Sequence, residues 1–181
     1  SHIVVMGMGE PLANLDQLLP ALDEARNEQG LSISSRRITI STVGLPAAIR
    51  RLSHHPRHYH LAVSLHAPDD QLRSELVPAN RKIGLASLFE AADEYFEVSG
   101  RRLTYEYVLL AGVNDQPRHA EHLVRLLRGR TALLNVIPYN PVDGLAYRTP
   151  SHEALKQFRE ILEQNRINVM VRQRKGDKIN A

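Results

Sequence analysis

Cysteine is absent from the 181 residues. No disulfide, thiolate nucleophile or thiolate-held metal cluster can therefore be built from them. No apolar run approaches the roughly 20 residues that span a bilayer. The first residues also lack the basic-then-apolar order of a signal peptide. These absences predict a cytosolic (cytoplasmic) protein without a membrane partner. Aromatic residues make up only 5% of the chain, too few to suggest a platform for stacking bases. A Walker glycine–lysine sequence is missing, and no Ser-His-Asp order stands out.

What is present is a globular composition, 43% apolar and 24% charged. That is enough for a sizeable core in one domain, or in part of a larger one. The formal charge is +3 and the pI about 9.4, a mild basicity that permits a polyanionic partner without requiring one.

Strand and helix patterns alternate along the chain. The opening stretch, His2 to Pro11, is a short Val/Ile run that reads as a strand buried on both faces. It ends in Gly7-Met8-Gly9-Glu10-Pro11, where the glycines allow positive φ and leave the backbone open to a small molecule. By itself such a Gly-x-Gly is most often an ordinary strand-to-helix turn. A helix through Leu18 to Ala25 follows, with Asn14 or Asp16 placed to cap it. Further strands are predicted over Arg37–Thr42, Tyr59–Leu65, Arg102–Leu110, Ala132–Ile137 and Ile167–Val171. Helices are predicted over Leu45–Leu52, Asp70–Leu76, Leu85–Val98 and Pro117–Leu127, with a last one capped by Ser151 and running to about Asn165. His54, His55, His58 and His60 crowd one connection, but Pro56 breaks any regular ligand spacing, so a solvated loop is favoured over a metal site.

Six strands alternating with helices argue for βαβ units, a parallel α/β sheet and right-handed crossovers. The expected architecture is a partial (βα)6 TIM-like barrel, because a complete eight-fold barrel needs about 250 residues. The whole chain, 1–181, is read as one partial-barrel domain truncated at both ends. Each proposed strand ends in small or polar residues: Gly9 and Glu10, Ser41, Ser64 and His66, Asn114 and Asp115, Asn140, then Arg172 and Arg174. In a curled parallel sheet such ends share one rim and converge on one pocket. Glu10 can accept from an ammonium, while Ser41 and Ser64 offer hydroxyls suited to a carboxylate or ribose. Asn140 both donates and accepts, and His66 can serve as acid, base or donor. The set suits a zwitterion joined to a nucleoside.

The Gly7–Pro11 wording resembles the Gly-Gly-Glu-Pro-type motif of radical S-adenosylmethionine enzymes, in the form typical of the RlmN/Cfr family. The likeness continues through Arg37–Gly44, Ser64-Leu65-His66-Ala67-Pro68, Asn135–Pro141 and Arg174–Ala181, in order, with the RlmN branch favoured. It implies a methyltransferase acting on C2 of an adenine in ribosomal and transfer RNA, and S-adenosyl-L-methionine held by Gly9, Glu10, Ser41, Ser64, Leu65, His66 and Asn140. It also implies a [4Fe-4S] cluster that cleaves one cofactor molecule to a 5′-deoxyadenosyl radical, a methyl-carrying cysteine, and a reductant protein as partner.

The family's Cys-x3-Cys-x2-Cys motif and its methyl-carrying cysteine have no counterpart in these residues. The expectation is a cofactor-cradling piece that assembles no cluster and transfers no methyl group alone, with neither catalytic residues nor metal ligands of its own. Arg172, Arg174, Lys175 and Lys178 are candidates for RNA phosphate contact, weighed equally against a solvated charged tail. Two alternatives stand beside this reading. One is a non-catalytic nucleoside- or RNA-binding barrel module; the other is an unrelated barrel lyase or aldolase, disfavoured because no lysine lies within the strands.

Overall fold

The structure is a computed structural model, and it describes residues 2–6 and 9–172. In chain order the elements are β1 (Ile3–Val5), α1 (Leu15–Arg26), β2 (Ile38–Thr42), α2 (Pro46–Ser53), β3 (His60–Ser64) and α3 (Asp70–Leu76). There follow α4 (Asn80–Ile83), α5 (Leu85–Ser99), β4 (Leu103–Leu109), α6 (Pro117–Leu127), β5 (Ala132–Pro138), α7 (His152–Gln164) and β6 (Val169–Val171). Short 3-10 turns at Pro11–Asn14 and Ser35–Arg37 precede α1 and β2. The alternation read from sequence is there, and α3 and α6 have the predicted bounds. The single turn α4 is an addition that has no apolar period to betray it.

The chain divides into two compact units. The first holds the residues up to Ser64 together with Val77–Thr104, and the second holds Leu65–Leu76 together with Tyr105 onward. Within the first, β1 pairs parallel with β2, and β2 parallel with β3. Ile38 and Ile40 of β2 and Leu61 and Val63 of β3 are buried along with Ile49 and Leu52 of α2 and Leu88 and Ala92 of α5. Each such Val, Leu or Ile side chain contributes about 1.5–3 kcal/mol by leaving water. The Tyr95 hydroxyl donates to the Tyr59 carbonyl at 2.7 Å. Helix α5 stops at Gly100, whose left-handed backbone (φ 63°) lets its N–H reach the Phe96 carbonyl at 2.8 Å.

Gly44 matters differently. It has φ +93°, and a Cβ there would lie 2.3 Å from Leu88 Cδ1. The turn after β2 is thus seated directly on α5, and only glycine meets both demands.

The second unit contains the parallel pair β5–β6. Helices α6 and α7 pack together, burying Leu123 and Leu127 with Phe158 and Leu162. Tyr107 of β4 and Phe158 of α7 meet with ring centroids 5.6 Å apart. Ser151 caps α7 by accepting from the Ala154 N–H at 3.1 Å, as its sequence position predicts.

One expectation is overturned. β1 is not buried on both faces, because Val4 is 51% exposed. Among the described residues it pairs with β2 alone, and the face that carries Val4 is uncovered. Strands β2 and β4 alternate between buried and half-buried residues.

Candidate functional site

In the first unit the turn after β1 is tied to the end of β2 through one carboxylate. Glu10 Oε1 accepts from the Leu12 N–H at 3.0 Å and from the Thr42 hydroxyl at 2.6 Å. Oε2 accepts from the Val43 N–H at 2.7 Å. Glu10 is therefore the N-cap of the Pro11–Asn14 turn and also the clamp joining two strand exits. A carboxylate has about four lone-pair positions; the described residues fill three and leave one on Oε2. Beside it, Gly9 holds φ +109°, and a Cβ at that position would meet nothing within 4 Å. The backbone here is open on the side where a side chain would stand. Ser41 is half-buried in β2 and Ser64 is the half-buried last residue of β3.

Thr42, which sequence reading passed over for Ser41, carries the clamp. Its hydroxyl donates to Glu10 and accepts from the Gly44 N–H at 2.9 Å. Strand alternation puts the two hydroxyls on opposite faces, and the buried one is Thr42, 2% exposed.

In the second unit the segment after β3 folds onto the end of β4. The N–H groups of Leu65 and His66 both donate to the Glu106 carbonyl, at 2.9 and 3.3 Å. His66 has φ +58°, unusual for a residue with a side chain. Its Nδ1 accepts from the Val108 N–H at 3.1 Å. Burial, with a smaller push from the Arg73 guanidinium, holds the His66 imidazole down to a pKa of about 4. It is thus a neutral ring near pH 7 and no general acid. Leu65 is fully buried, and its carbonyl accepts from Arg73 Nε at 3.1 Å. Burial likewise pulls the Arg73 guanidinium down to about 10.

On β4 and β5, Asn135 Nδ2 donates to Glu106 Oε2 at 2.7 Å, while the buried Asn135 Oδ1 has no partner among the described residues. Burial raises the Glu106 carboxyl above the usual carboxylate range, opposed by that bond and by Arg172. Asn140 is exposed in the connection after β5, and Arg172 is exposed just past β6. Arg174, Lys175 and Lys178 lie outside the described residues. Arg73 and the Glu106–Asn135 pair escaped sequence reading; the second had the polar-in-strand placement that could have flagged it.

The comparisons bear on these motifs directly. The chain is 66% identical over all 181 residues to a protein of Rhodopirellula baltica named "Probable dual-specificity RNA methyltransferase RlmN", of which it covers 49%. By sequence, the chain is similar along its whole length to proteins named RlmN. No protein-family model matches it. A crystal structure of a radical SAM methyltransferase from Sphaerobacter thermophilus superposes with a TM-score of 0.93 at 44% identity, over 97% of this chain and 51% of that one. The fold is shared more widely: a domain of a pyruvate-formate lyase-activating enzyme from Bacteroides vulgatus matches with a TM-score of 0.71 at 17% identity, over 96% of this chain and 99% of that one. These matches establish the α/β partial-barrel fold of radical SAM proteins. The RlmN-type motifs fall on the exits of β1, β2, β3 and β5, and the chain spans about half the length of the curated relatives it matches.

Among the described residues no helix is long and apolar enough to cross a membrane.

Proposed function

We propose that these residues form the S-adenosylmethionine-cradling part of a radical RNA methyltransferase of the RlmN type. Its substrates would be ribosomal and transfer RNA, methylated at C2 of an adenine in the cytoplasm. The observation that carries this reading is the 66% identity to the Rhodopirellula protein along the entire chain.

The residues present fit the cofactor's methionine end. Gly9 leaves its backbone uncovered, and Glu10 keeps one acceptor position after its three internal bonds. An ammonium group is a donor of the right charge for that position. The RlmN likeness assigns Ser41, Ser64, Leu65, His66 and Asn140 to the same cofactor. His66 acts there as a neutral hydrogen-bonding ring, not as a proton shuttle. When bound, S-adenosylmethionine supplies the transferred methyl group and the source of the initiating radical. The [4Fe-4S] cluster and the methyl-carrying cysteine cannot come from this chain, which has no cysteine; they belong to the longer protein, with a reductant protein as electron donor.

Calorimetric titration of the longer protein with S-adenosylmethionine tests the cofactor assignment. Glu10→Ala and His66→Ala are each expected to weaken binding about tenfold, or roughly 1.4 kcal/mol. Affinities equal to that of the unaltered protein would remove both residues from the site. For RNA, replacing Arg172 by glutamine should lower the slope of log affinity against log salt by about 1 if it neutralises one phosphate.

A further inference from the structure

Asn114, in the connection after β4, is fully buried, and both hydrogens and the oxygen of its amide are engaged. Its Nδ2 donates to the His66 carbonyl and to the Val108 carbonyl, each at 2.8 Å. Its Oδ1 accepts from the Leu110 N–H at 2.7 Å. Its own carbonyl accepts from the Tyr107 hydroxyl at 2.9 Å. The amide can hold this pattern in only one orientation, because two carbonyls need donors and one N–H needs an acceptor.

The consequence reaches the histidine ring. A backbone N–H cannot accept, so the Val108 N–H fixes His66 Nδ1 as the bare nitrogen. In a neutral ring the proton must then sit on Nε2. Nε2 has no partner among the described residues. The left-handed backbone of His66 costs about 1 kcal/mol or more for a residue with a Cβ. It is held from both sides: the Leu65 and His66 N–H groups bond the Glu106 carbonyl, and Asn114 bonds the His66 carbonyl. Arg73 pins the preceding Leu65 carbonyl.

We infer that Asn114 is a positioning residue which, by clasping the His66 carbonyl to the end of β4, locks His66 as its Nε2–H tautomer and so offers a ligand one donor of fixed direction. The inference deepens the proposed cofactor site, since it rests on His66 facing that ligand. The partner chemistry is an acceptor: a hydroxyl, carboxylate or ring nitrogen of the nucleoside or amino-acid portion.

The test reads the ring directly. Long-range proton–nitrogen correlation spectra of the full chain, labelled with nitrogen-15 in histidine, distinguish the two tautomers, and His66→Gln identifies the His66 signals. The expected result is a single Nε2–H form near neutral pH. Asn114→Asp removes both donors while keeping the shape, and should shift the tautomer ratio at least about tenfold toward Nδ1–H, an energy of about 1.4 kcal/mol. Tyr107→Phe, which loosens the same cluster without touching the amide donors, should leave the ratio unchanged. If the aspartate variant does not fold, Asn114→Ser, which keeps at most one donor, is read in its place. An Nδ1–H or charged ring in the unaltered chain would overturn the inference, as would an unchanged ratio in a folded Asn114 variant. Adding S-adenosylmethionine separates the two ideas: His66 signals that do not move would remove His66 from the cofactor site and leave the tautomer result standing.

Discussion

Each unit fastens the exits of its strands with one polar side chain, and the two do it in opposite ways. In the first, Glu10 is charged and accepts only, gathering three donors from β2 and its own turn. In the second, Asn114 is neutral, gives two hydrogen bonds and takes one. The carboxylate ends with an acceptor position to spare, so it can meet a ligand itself. The amide has no donor to spare and is fully buried, so it acts through the residue it holds. A clamp that binds and a clamp that aims are thus told apart by charge and by burial, Glu10 being half-buried and Asn114 fully buried.

The largest effect should come from the fully buried clamp. Asn114→Ala strands the His66 and Val108 carbonyls and the Leu110 N–H in a buried setting, at about 1 kcal/mol or more each. A stability loss of about 3 kcal/mol is expected from denaturant midpoints. Glu10→Ala, in a partly exposed site where water can replace the carboxylate, should lose about 1–2 kcal/mol. Equal losses would abolish the distinction between the two clamps.

Gly44→Ala comes next, at about 2 kcal/mol, because a positive φ and a contact with buried Leu88 act together. Thermal unfolding would read it, and a loss under about 0.5 kcal/mol would mean that Leu88 moves aside freely.

The pH response should be smaller and confined to the second unit's clamp. The unfolded imidazole takes up its proton near pH 6.5, and the folded one near pH 4. Between these values the unfolded state binds more protons, so stability is complete above about pH 6.5 and falls as the pH drops toward 4. Arg73 is the charged neighbour that adds to the depression. His66→Gln should flatten this limb of a stability–pH curve; a curve of unchanged slope would place the dependence elsewhere.

Sequence carried the fold a long way because the elements announce themselves locally. Pro117 at the head of α6, Ser151 before α7 and Gly100 after α5 each have one physical job, which the structure shows them doing. The strand exits were also legible, since a polar residue after an apolar run is a strong local contrast. Which exit residue does what was not. Ser41 and Thr42 differ by one position, and only the facing decides that Thr42 is the one bound to Glu10. Asn114 looked like any loop asparagine, since its partners lie up to 48 residues away. The burial of β1 was misjudged because a Val/Ile run does not reveal whether a strand has one neighbour or two.

The seating of Gly44 on Leu88 ties together two positions that no motif links. A lineage that enlarges residue 44 must trim residue 88, and even then recovers only the steric half of the penalty, because the backbone handedness stays. Drift at these sites should therefore be paired and rare, with alanine or valine at 88 preceding any side chain at 44.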